Sequence, residues 1–238
     1  YLVDQPRRGQ AGQSTVAVEL SATPDDQFWY AQFRIGVYPK MNDGVAFPKD
    51  PAAQAQFFRM MTPDTGAFDA GVITDSMVKL FDKTGGGVFV THSAGGIIGW
   101  TTAMASDKVQ GIIAIEPGAF YFPEGEAPPK QISKFGDVSP LTVPPEQFAK
   151  LTRLPIIIYF GDYIPDHLDG SQGGEQWHIR MKMAQQFVDT VNKHGGKAEL
   201  VHLPKVGIKG NTHFLFSDLN NAQIADHIAH WLHEKGLD

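Results

Sequence analysis

From residue 87 onwards, short apolar runs alternate with helical patterns, and this order most constrains the fold. Four runs of β-branched and other apolar residues predict strands: Gly87–His92, Gly111–Glu116, Pro155–Gly161 and Ala198–Leu203. Each run is apolar throughout instead of alternating with polar residues, which is typical of strands covered on both faces of a parallel sheet. The sequence therefore predicts an α/β fold with a mostly parallel sheet flanked by helices.

Apolar spacing and end signals predict the helices around these strands. The signals used are a capping side chain or first-turn proline at the start, and glycine at the end. The first predicted helix follows the Asp50 cap and runs through Met61, and the second is capped by Thr74. The third covers Met181–Val191 and ends at Gly195, and the fourth covers Ile224–Leu232 and ends at Gly236.

Two stretches rich in proline and aromatic residues interrupt this alternation, at about 22–70 and 117–150. Their many aromatic residues argue against flexible linkers, so we interpret them as cap-like insertions that cover a site above the sheet. A chain of 238 residues can still share one core, so we predict a single domain over residues 1–238.

Composition excludes several classes of function. The net charge of −6, without a block of like charge, argues against nucleic-acid binding. The chain has no cysteine, which excludes disulfides, thiolate metal sites and a cysteine nucleophile. No apolar run approaches the roughly 20 residues that cross a bilayer, so we expect a soluble protein with no membrane partner. The compartment stays open, with a secreted or periplasmic location favoured over a cytoplasmic one.

We also expect no metal and no cofactor. The one tempting cluster of carboxylates and histidine does not fit the spacing of a calcium-binding loop, because the glycine and the closing glutamate are misplaced. Its members are Asp162, Asp166, His167 and Asp169.

Ser93 is the candidate nucleophile, because it lies in a tight turn between a predicted strand and a predicted helix. Such a turn exposes the hydroxyl at the edge of the sheet and needs small neighbours, which Gly95 and Gly96 supply. Thr91 occupies the first small position and departs from the G-x-S-x-G pattern. The helix N-terminus favours a developing oxyanion, and the N–H of Ala94 is the natural first donor.

His213 is the candidate base among nine histidines, since it lies in the loop between the fourth strand and the final helix. Its Nε2 is expected within hydrogen-bond reach of Ser93 Oγ. His92 adjoins the serine, but strand geometry points it to the opposite face. Two carboxylates at the carboxyl ends of strands are candidates for the acid, Glu116 and Asp162, and the residues alone leave both open.

The motifs together resemble those of the α/β-hydrolases, and more narrowly the small group of bacterial esterases typified by esterase 713. The similar segments are Val3–Gly9, Thr91–Gly95, Ile115–Gly118, Phe160–Asp162, Gly207–His213 and Asp218–Asp226. In that group the acid is a glutamate after the strand that follows the nucleophile, which implies Glu116. The longer 117–150 insertion departs from the group and leaves the substrate open.

The resemblance also predicts that the fold extends beyond the start of the chain. In α/β-hydrolases the loop corresponding to Asp4–Gly9 follows the fourth strand of the sheet, whereas only residues 1–3 precede it here. We therefore expect the N-terminal strands, and the second oxyanion donor, to be absent from this chain or supplied by a separate segment or chain.

The sequence-based hypothesis is a serine esterase that acts on a small-molecule ester through an acyl-enzyme. Ser93 attacks, His213 transfers the proton and Glu116 orients the imidazole, with Asp162 as the alternative acid. Lactone, thioester or amide cleavage would use the same triad, and a non-catalytic hydrolase-like binding module is the alternative from another class. Whether the protein is a homodimer stays open.

Overall fold

The computed structural model of the protein describes residues 27–60 and 68–238. The strands are β1 (Gly36–Val37), β2 (Lys40–Met41), β3 (Gly87–His92), β4 (Val109–Ile115), β5 (Tyr121–Pro123), β6 (Leu141–Val143), β7 (Pro155–Phe160) and β8 (Lys197–His202). The helices are α1 (Phe28–Gln32), α2 (Pro51–Met60), α3 (Ala70–Thr84), α4 (Gly95–Ala105), α5 (Pro145–Phe148), α6 (Gln172–Lys193) and α7 (Asn221–Lys235). Short 3₁₀ helices lie at Leu151–Arg153 and Leu203–Val206.

The central sheet has the order β3-β4-β7-β8, and every neighbouring pair in it is parallel. These four strands match the four predicted runs, with bounds that differ by two residues at most. The predicted α/β fold is therefore confirmed. Because all four strands run the same way, their carboxyl ends meet at one edge of the sheet, where ligands bind in open α/β folds.

Successive side chains of the strands point to opposite faces of the sheet, and both faces are covered. In β4, Ile112 and Ala114 belong to a core shared with α4 and α6, whereas Ile113 and Ile115 belong to a core shared with α7. The strand is buried on both sides, which explains why its sequence is apolar without alternation.

The Asp50 cap of α2 and the glycines after α6 and α7 agree with the structure. However, α6 begins at Gln172, nine residues before Met181, and the predicted cap of α3 was wrong. Asp69 caps this helix by accepting a hydrogen bond from the N–H of Val72 at 3.0 Å. Thr74 lies inside the helix, buried, with its hydroxyl 2.6 Å from that of Thr101. A threonine is tolerated inside a helix when its hydroxyl has a hydrogen-bond partner, as Thr74 does. The preference of threonine for the N-cap position therefore did not determine where Thr74 lies.

The described part of the first insertion packs on loops at the carboxyl ends of the strands. Its hydrophobic cluster contains Tyr30, Ile35 and Phe57, and contacts Tyr163 after β7 and Phe214 before α7. The cap-like role of this segment stays a prediction. Residues 1–3, the Asp4–Gly9 loop and Met61 lie outside the described residues.

The second insertion extends the helix layer beside α6. Phe120 and Phe148 pack against Phe187 of that helix. The hydroxyl of Ser133 donates a hydrogen bond to Glu175 at 2.8 Å, and both residues are buried. Residues 117–150 are thus fixed to α6 at both its first turn and its middle, while their covering role also stays a prediction.

A close approach of α1 to the start of α6 positions the first insertion over the sheet. Gly173 lies so near the carbonyl oxygen of Ala31 that a Cβ there would come within 3.0 Å of backbone. Four residues further on, the indole N–H of Trp177 donates to the carbonyl of Gln32 at 2.8 Å. The chain after α1 is therefore fixed in place before it reaches residues 33 and 34.

We expect Gly173→Ala to lower the free energy of unfolding by about 1–3 kcal/mol, because the new methyl group forces α1 and α6 apart. Urea unfolding followed by tryptophan fluorescence measures the change. Gly95→Ala is the matched control, since Gly95 also lies in the first turn of a helix but has open space around it. Equal stability of the Gly173→Ala protein and the wild type would contradict the close approach.

Candidate active site

Ser93 occupies a strained turn at the carboxyl end of β3, as predicted. Its φ of 54° lies in the left-handed region that non-glycine residues rarely adopt. Its N–H donates to the carbonyl of Ile115 at 3.0 Å, and its carbonyl accepts from Gly96 at 3.0 Å and from Gly118 at 3.2 Å. These hydrogen bonds fix the turn to the end of β4. Strain held in this way is common where a side chain must be presented for chemistry.

Thr91 is accommodated in this turn by a glycine on the following helix. A Cβ at Gly99 would come within 3.0 Å of the Thr91 methyl group, and a Cβ at Gly96 would likewise meet Pro117. The threonine side chain at position 91 thus fits because Gly99 has no side chain where the two residues meet. The departure from the usual motif therefore does not disturb the geometry of Ser93.

Ala94 follows the serine directly and is the N-cap residue of α4. It is exposed, and its backbone N–H belongs to the first turn of the helix, where N–H groups lack intrahelical partners. The positive end of the helix dipole stabilises negative charge at this point. The role of Ala94 as oxyanion donor stays a prediction.

Glu116 follows β4 and lies completely buried, with a φ of 43°. Its Oε2 is 2.6 Å from Nδ1 of His213, and its Oε1 accepts from the N–H of Gly161 at 2.7 Å and from Nη2 of Arg34. Burial acts to raise the pKa of this carboxyl, but the Arg34 charge and the His213 hydrogen bond outweigh it and lower the pKa to about 2. The group is therefore ionised throughout the physiological range.

The ring of His213 is buried among aromatic groups. Its centroid lies 4.3 Å from that of Trp177, 4.8 Å from that of Phe33, which stacks on it, and 4.4 Å from that of His92. Because ionised Glu116 only accepts, Nδ1 of His213 carries the proton of that bond. Burial lowers the pKa of His213, so the imidazole is neutral near pH 7 with its lone pair on Nε2.

The expected hydrogen bond between His213 and the serine hydroxyl is not made. Within residues 27–60 and 68–238, the buried Nε2 of His213 has no hydrogen-bond partner, Ser93 Oγ included. Nucleophile–base hydrogen bonds are often long without substrate and tighten in the complex, because little energy holds a rotatable hydroxyl in place.

Asp162, the alternative acid, holds loops instead of contacting His213. Its Oδ2 accepts from the N–H of Gly210 at 2.8 Å, and its Oδ1 accepts from that of Tyr163 at 2.7 Å. The bond to Gly210 ties the end of β7 to the loop that carries the histidine. The structure thus brings Glu116, and not Asp162, to Nδ1 of His213.

Asp218 holds the loop that carries His213 through hydrogen bonds to the residues before the histidine. This buried carboxyl accepts hydrogen bonds from the N–H and the hydroxyl of Thr212 at 2.7 and 2.9 Å, and from the side chain of Asn211 at 3.3 Å. Burial raises the pKa of Asp218 to about 6, against the effect of these bonds. The residue before His213 is therefore fixed by two hydrogen bonds to one carboxylate.

The interpretation of His92 was wrong. Its Nε2 lies 3.0 Å from the backbone carbonyl of His213, so the side chain is at the site and not on the opposite face. His92 is the last residue of β3, where the turn at Ser93 ends the regular alternation of side chains. Burial and the nearby His213 lower the pKa of His92 to about 3, so the neutral ring donates this hydrogen bond.

Arg34 is the main residue that the sequence did not reveal. It is 2% exposed, its Nε donates to the carbonyl of Asp162 at 2.8 Å, and its Nη2 pairs with Glu116. No apolar periodicity or motif surrounds it in the sequence. Its φ of 60° is unusual for a non-glycine residue, but this is visible only in the structure.

No metal or membrane feature accompanies this site in the part of the chain that the structure describes. That part contains no group of three or more histidine, aspartate or glutamate side chains able to hold a metal ion. It also contains no helix with the length and apolar character needed to cross a membrane. A cavity of about 350 Å³ lies between α6 and the end of β8, and Ser93, Glu116 and His213 do not line it.

The chain is similar to a solved structure described as a novel bacterial esterase. The two share 30% sequence identity with a TM-score of 0.70, and the match covers 88% of this chain and 57% of the esterase. The chain thus spans little more than half the length of that protein. No protein-family model and no curated protein matches the chain. The protein therefore has an esterase-like α/β-hydrolase fold, which confirms the fold that the sequence resemblance implies.

The pKa of Glu116 predicts how stability depends on pH. The folded value of about 2 lies below the roughly 4.3 of an unfolded glutamate, so the charge stabilises the fold above about pH 4.3 and this contribution is lost as the pH falls towards 2. We expect Glu116→Gln to cost about 3–5 kcal/mol at pH 7, because it leaves Arg34 buried without its partner. The cost should shrink between about pH 5 and pH 2.

Urea unfolding of both proteins over this pH range measures the difference in free energy. Glu124→Gln is the control, since Glu124 is exposed and its replacement should change stability by no more than about 0.5 kcal/mol at any pH. A cost of Glu116→Gln that stays constant down to about pH 2 would show that the ionised carboxylate is not what stabilises the fold.

Proposed function

We propose that the protein is a serine hydrolase that cleaves small-molecule carboxylic esters through an acyl-enzyme. The observation that carries this proposal is the buried Glu116–His213 pair, which ends beside the strained turn of Ser93 at the carboxyl edge of the sheet. The similarity to a bacterial esterase supports the same reaction. Here Glu116 orients and stabilises the imidazole, His213 is the base and Ser93 is the nucleophile.

In the first half of the reaction, Ser93 Oγ attacks the carbonyl carbon of the ester while Nε2 of His213 accepts the hydroxyl proton. The N–H of Ala94 stabilises the negative charge that develops on the carbonyl oxygen. The bond to the leaving oxygen then breaks, and His213 returns the proton to it, so that an alcohol departs. The same steps with water in place of the alcohol release the carboxylic acid and restore Ser93.

Glu116 contributes most when the imidazole becomes positively charged. It faces a neutral ring in the resting protein and a cation in the transition state, so its attraction increases along the reaction. The hydrogen bond at 2.6 Å also fixes the tautomer with the lone pair on Nε2. Hydrolysis of lactones, thioesters or amides would use the same groups, and a panel of these substrates separates the reactions.

A non-catalytic binding module is the second candidate, because Nε2 of His213 makes no hydrogen bond with the serine in the described structure. Burial of the histidine favours the enzyme, since desolvation keeps the base neutral. A binding module has no need for a neutral imidazole beside an ionised carboxylate.

Labelling with a fluorophosphonate tests the nucleophile. We expect one adduct, mapped by mass spectrometry to Ser93, and turnover of short p-nitrophenyl esters that falls by roughly 10⁴-fold or more in Ser93→Ala. Ser76→Ala is the matched control, since this exposed serine on α3 bonds only within its helix. Unlabelled Ser93, together with no ester turnover by the wild type, would favour the binding module, whereas unchanged turnover by Ser93→Ala would show that another residue is the nucleophile.

Two amide variants test the choice of acid. Glu116→Gln should lower kcat on the order of 10³–10⁴-fold, because the amide cannot stabilise the imidazolium and favours the wrong tautomer. Asp162→Asn weakens one loop hydrogen bond, worth about 1–1.5 kcal/mol, so we expect roughly a tenfold loss. Steady-state kinetics of both variants on one ester decides, and the reverse ranking would assign the acid to Asp162.

A further inference from the structure

The carboxylate of Glu116 has a second charged partner besides the histidine. Its Oε1 is shared by Nη2 of Arg34 and the N–H of Gly161, which leaves Oε2 to His213 alone. Within the described ranges, Arg34 makes no ion pair other than the one with Glu116. The guanidinium of Arg34, the carboxylate of Glu116 and the imidazole of His213 thus form one buried row, with the proposed base His213 at its end.

We propose that Arg34 is a positioning residue of this site, which keeps Glu116 ionised and turned towards His213; this inference rests on the proposed esterase function. Arg34 acts through Glu116 and does not contact the reacting atoms.

Because Glu116 is removed from water, its carboxylate needs a charged partner such as Arg34 to stay ionised. A carboxylate removed from water takes up a proton or moves towards solvent unless a nearby charge compensates the lost hydration. The side chains of Glu116 and Arg34 are 0% and 1% exposed, so neither finds that compensation in solvent. A protonated Glu116 would offer His213 no negative charge when the imidazolium forms.

The backbone around Arg34 is shaped to deliver the guanidinium to this place. The described non-glycine residues with positive φ are four in number, and all of them lie at the site: Arg34, Ser93, Glu116 and Tyr163. Arg34 therefore shares the strained conformation of the proposed nucleophile and acid. Its carbonyl accepts from the side chain of Asn42 at 2.8 Å, which holds the strained residue in place.

The residue before Arg34 contacts the other member of the pair. The ring of Phe33 stacks on His213 with an interplanar angle of 9°, and its carbonyl accepts from the His213 N–H at 3.1 Å. Two consecutive residues of the first insertion thus contact the base and the acid. A counter-ion that served only the fold would not need this placement.

Several charged or titratable groups face the pair from the surrounding elements, and each enters the pH dependence: Arg34 after α1, His92 at the end of β3, Arg180 on α6, and Asp218 before α7. Arg34 lowers the pKa of both Glu116 and His213 by its charge. Removing that charge should therefore raise the pH below which the pair is protonated and activity is lost.

The experiment measures kcat, KM and the pH profile of ester hydrolysis for Arg34→Gln and Arg34→Lys. For Arg34→Gln we expect kcat to fall by about 10²–10³-fold while KM changes less than about threefold, since ground-state binding is not affected. The acid limb of kcat/KM should move upwards by about one pH unit. Arg34→Lys keeps the charge and should restore part of kcat and the original acid limb.

Arg153→Gln is the matched control, because Arg153 also pairs with a carboxylate, that of Asp107, but at the exposed surface. Its kinetics and pH profile should equal those of the wild type. An Arg34→Gln protein with wild-type kcat and an unmoved acid limb would overturn the inference, whereas the esterase proposal would stand. A wild type that neither hydrolyses esters nor labels at Ser93 would overturn the proposed function, and this inference with it.

A double variant decides the question even if Arg34→Gln alone fails to fold. Glu116→Gln combined with Arg34→Gln removes both charges, which avoids an unpaired ion in the core. If Arg34 acts through Glu116, the double variant should have the kcat of Glu116→Gln within about threefold. A further loss of tenfold or more in the double variant would show that Arg34 acts by another route.

Discussion

A carboxylate that loses its hydration must regain the energy from donors and cations nearby, and this requirement determines the surroundings of Glu116. Four parts of the chain meet on its two oxygens or on the residues that hold them: the end of β4, the end of β7, the loop before α7 and the segment after α1. The ends of β4 and β7 are neighbours in the sheet, whereas the loop before α7 and the segment after α1 reach Glu116 from outside the sheet. The buried charge therefore ties these two segments to the carboxyl edge of the sheet.

The sheet could be predicted from the sequence because its strands are local apolar runs. The order of residues after those runs pointed to Ser93 and His213 as candidates, and the resemblance to bacterial esterases favoured Glu116 over Asp162. Arg34 could not be predicted, since its partner lies 82 residues further along the chain and the surrounding segment has no periodicity. His92 was misplaced because alternation describes a strand interior, and the strand ends at that residue. Such pairings depend on packing between distant segments, which local propensity does not encode.

Backbone strain marks the same residues that the side-chain chemistry selects. Positive φ at a non-glycine residue costs on the order of 1–3 kcal/mol and persists only when surrounding hydrogen bonds fix it. In the described chain such residues coincide with the proposed nucleophile, the proposed acid, the cation beside it and Tyr163 next to Asp162. Each of the four lies within three residues of the end of a strand or helix, so the strain is located where regular structure ends at the site.

The burial of His213 connects this architecture to the chemistry. Desolvation lowers the pKa of the imidazole, and ionised Glu116 opposes that effect by favouring the imidazolium. Without a carboxylate, a histidine enclosed by Trp177 and Phe33 would resist protonation too strongly to accept a proton from serine. An exposed histidine would instead be partly protonated near neutral pH. Because Glu116 and His213 are buried and Arg34 keeps the carboxylate ionised, the imidazole is neutral in the resting protein. Its positive charge, when it forms, is stabilised by the carboxylate of Glu116. In the proposed reaction, the free energy that keeps Glu116 ionised inside the protein would therefore stabilise the transition state more than the resting state.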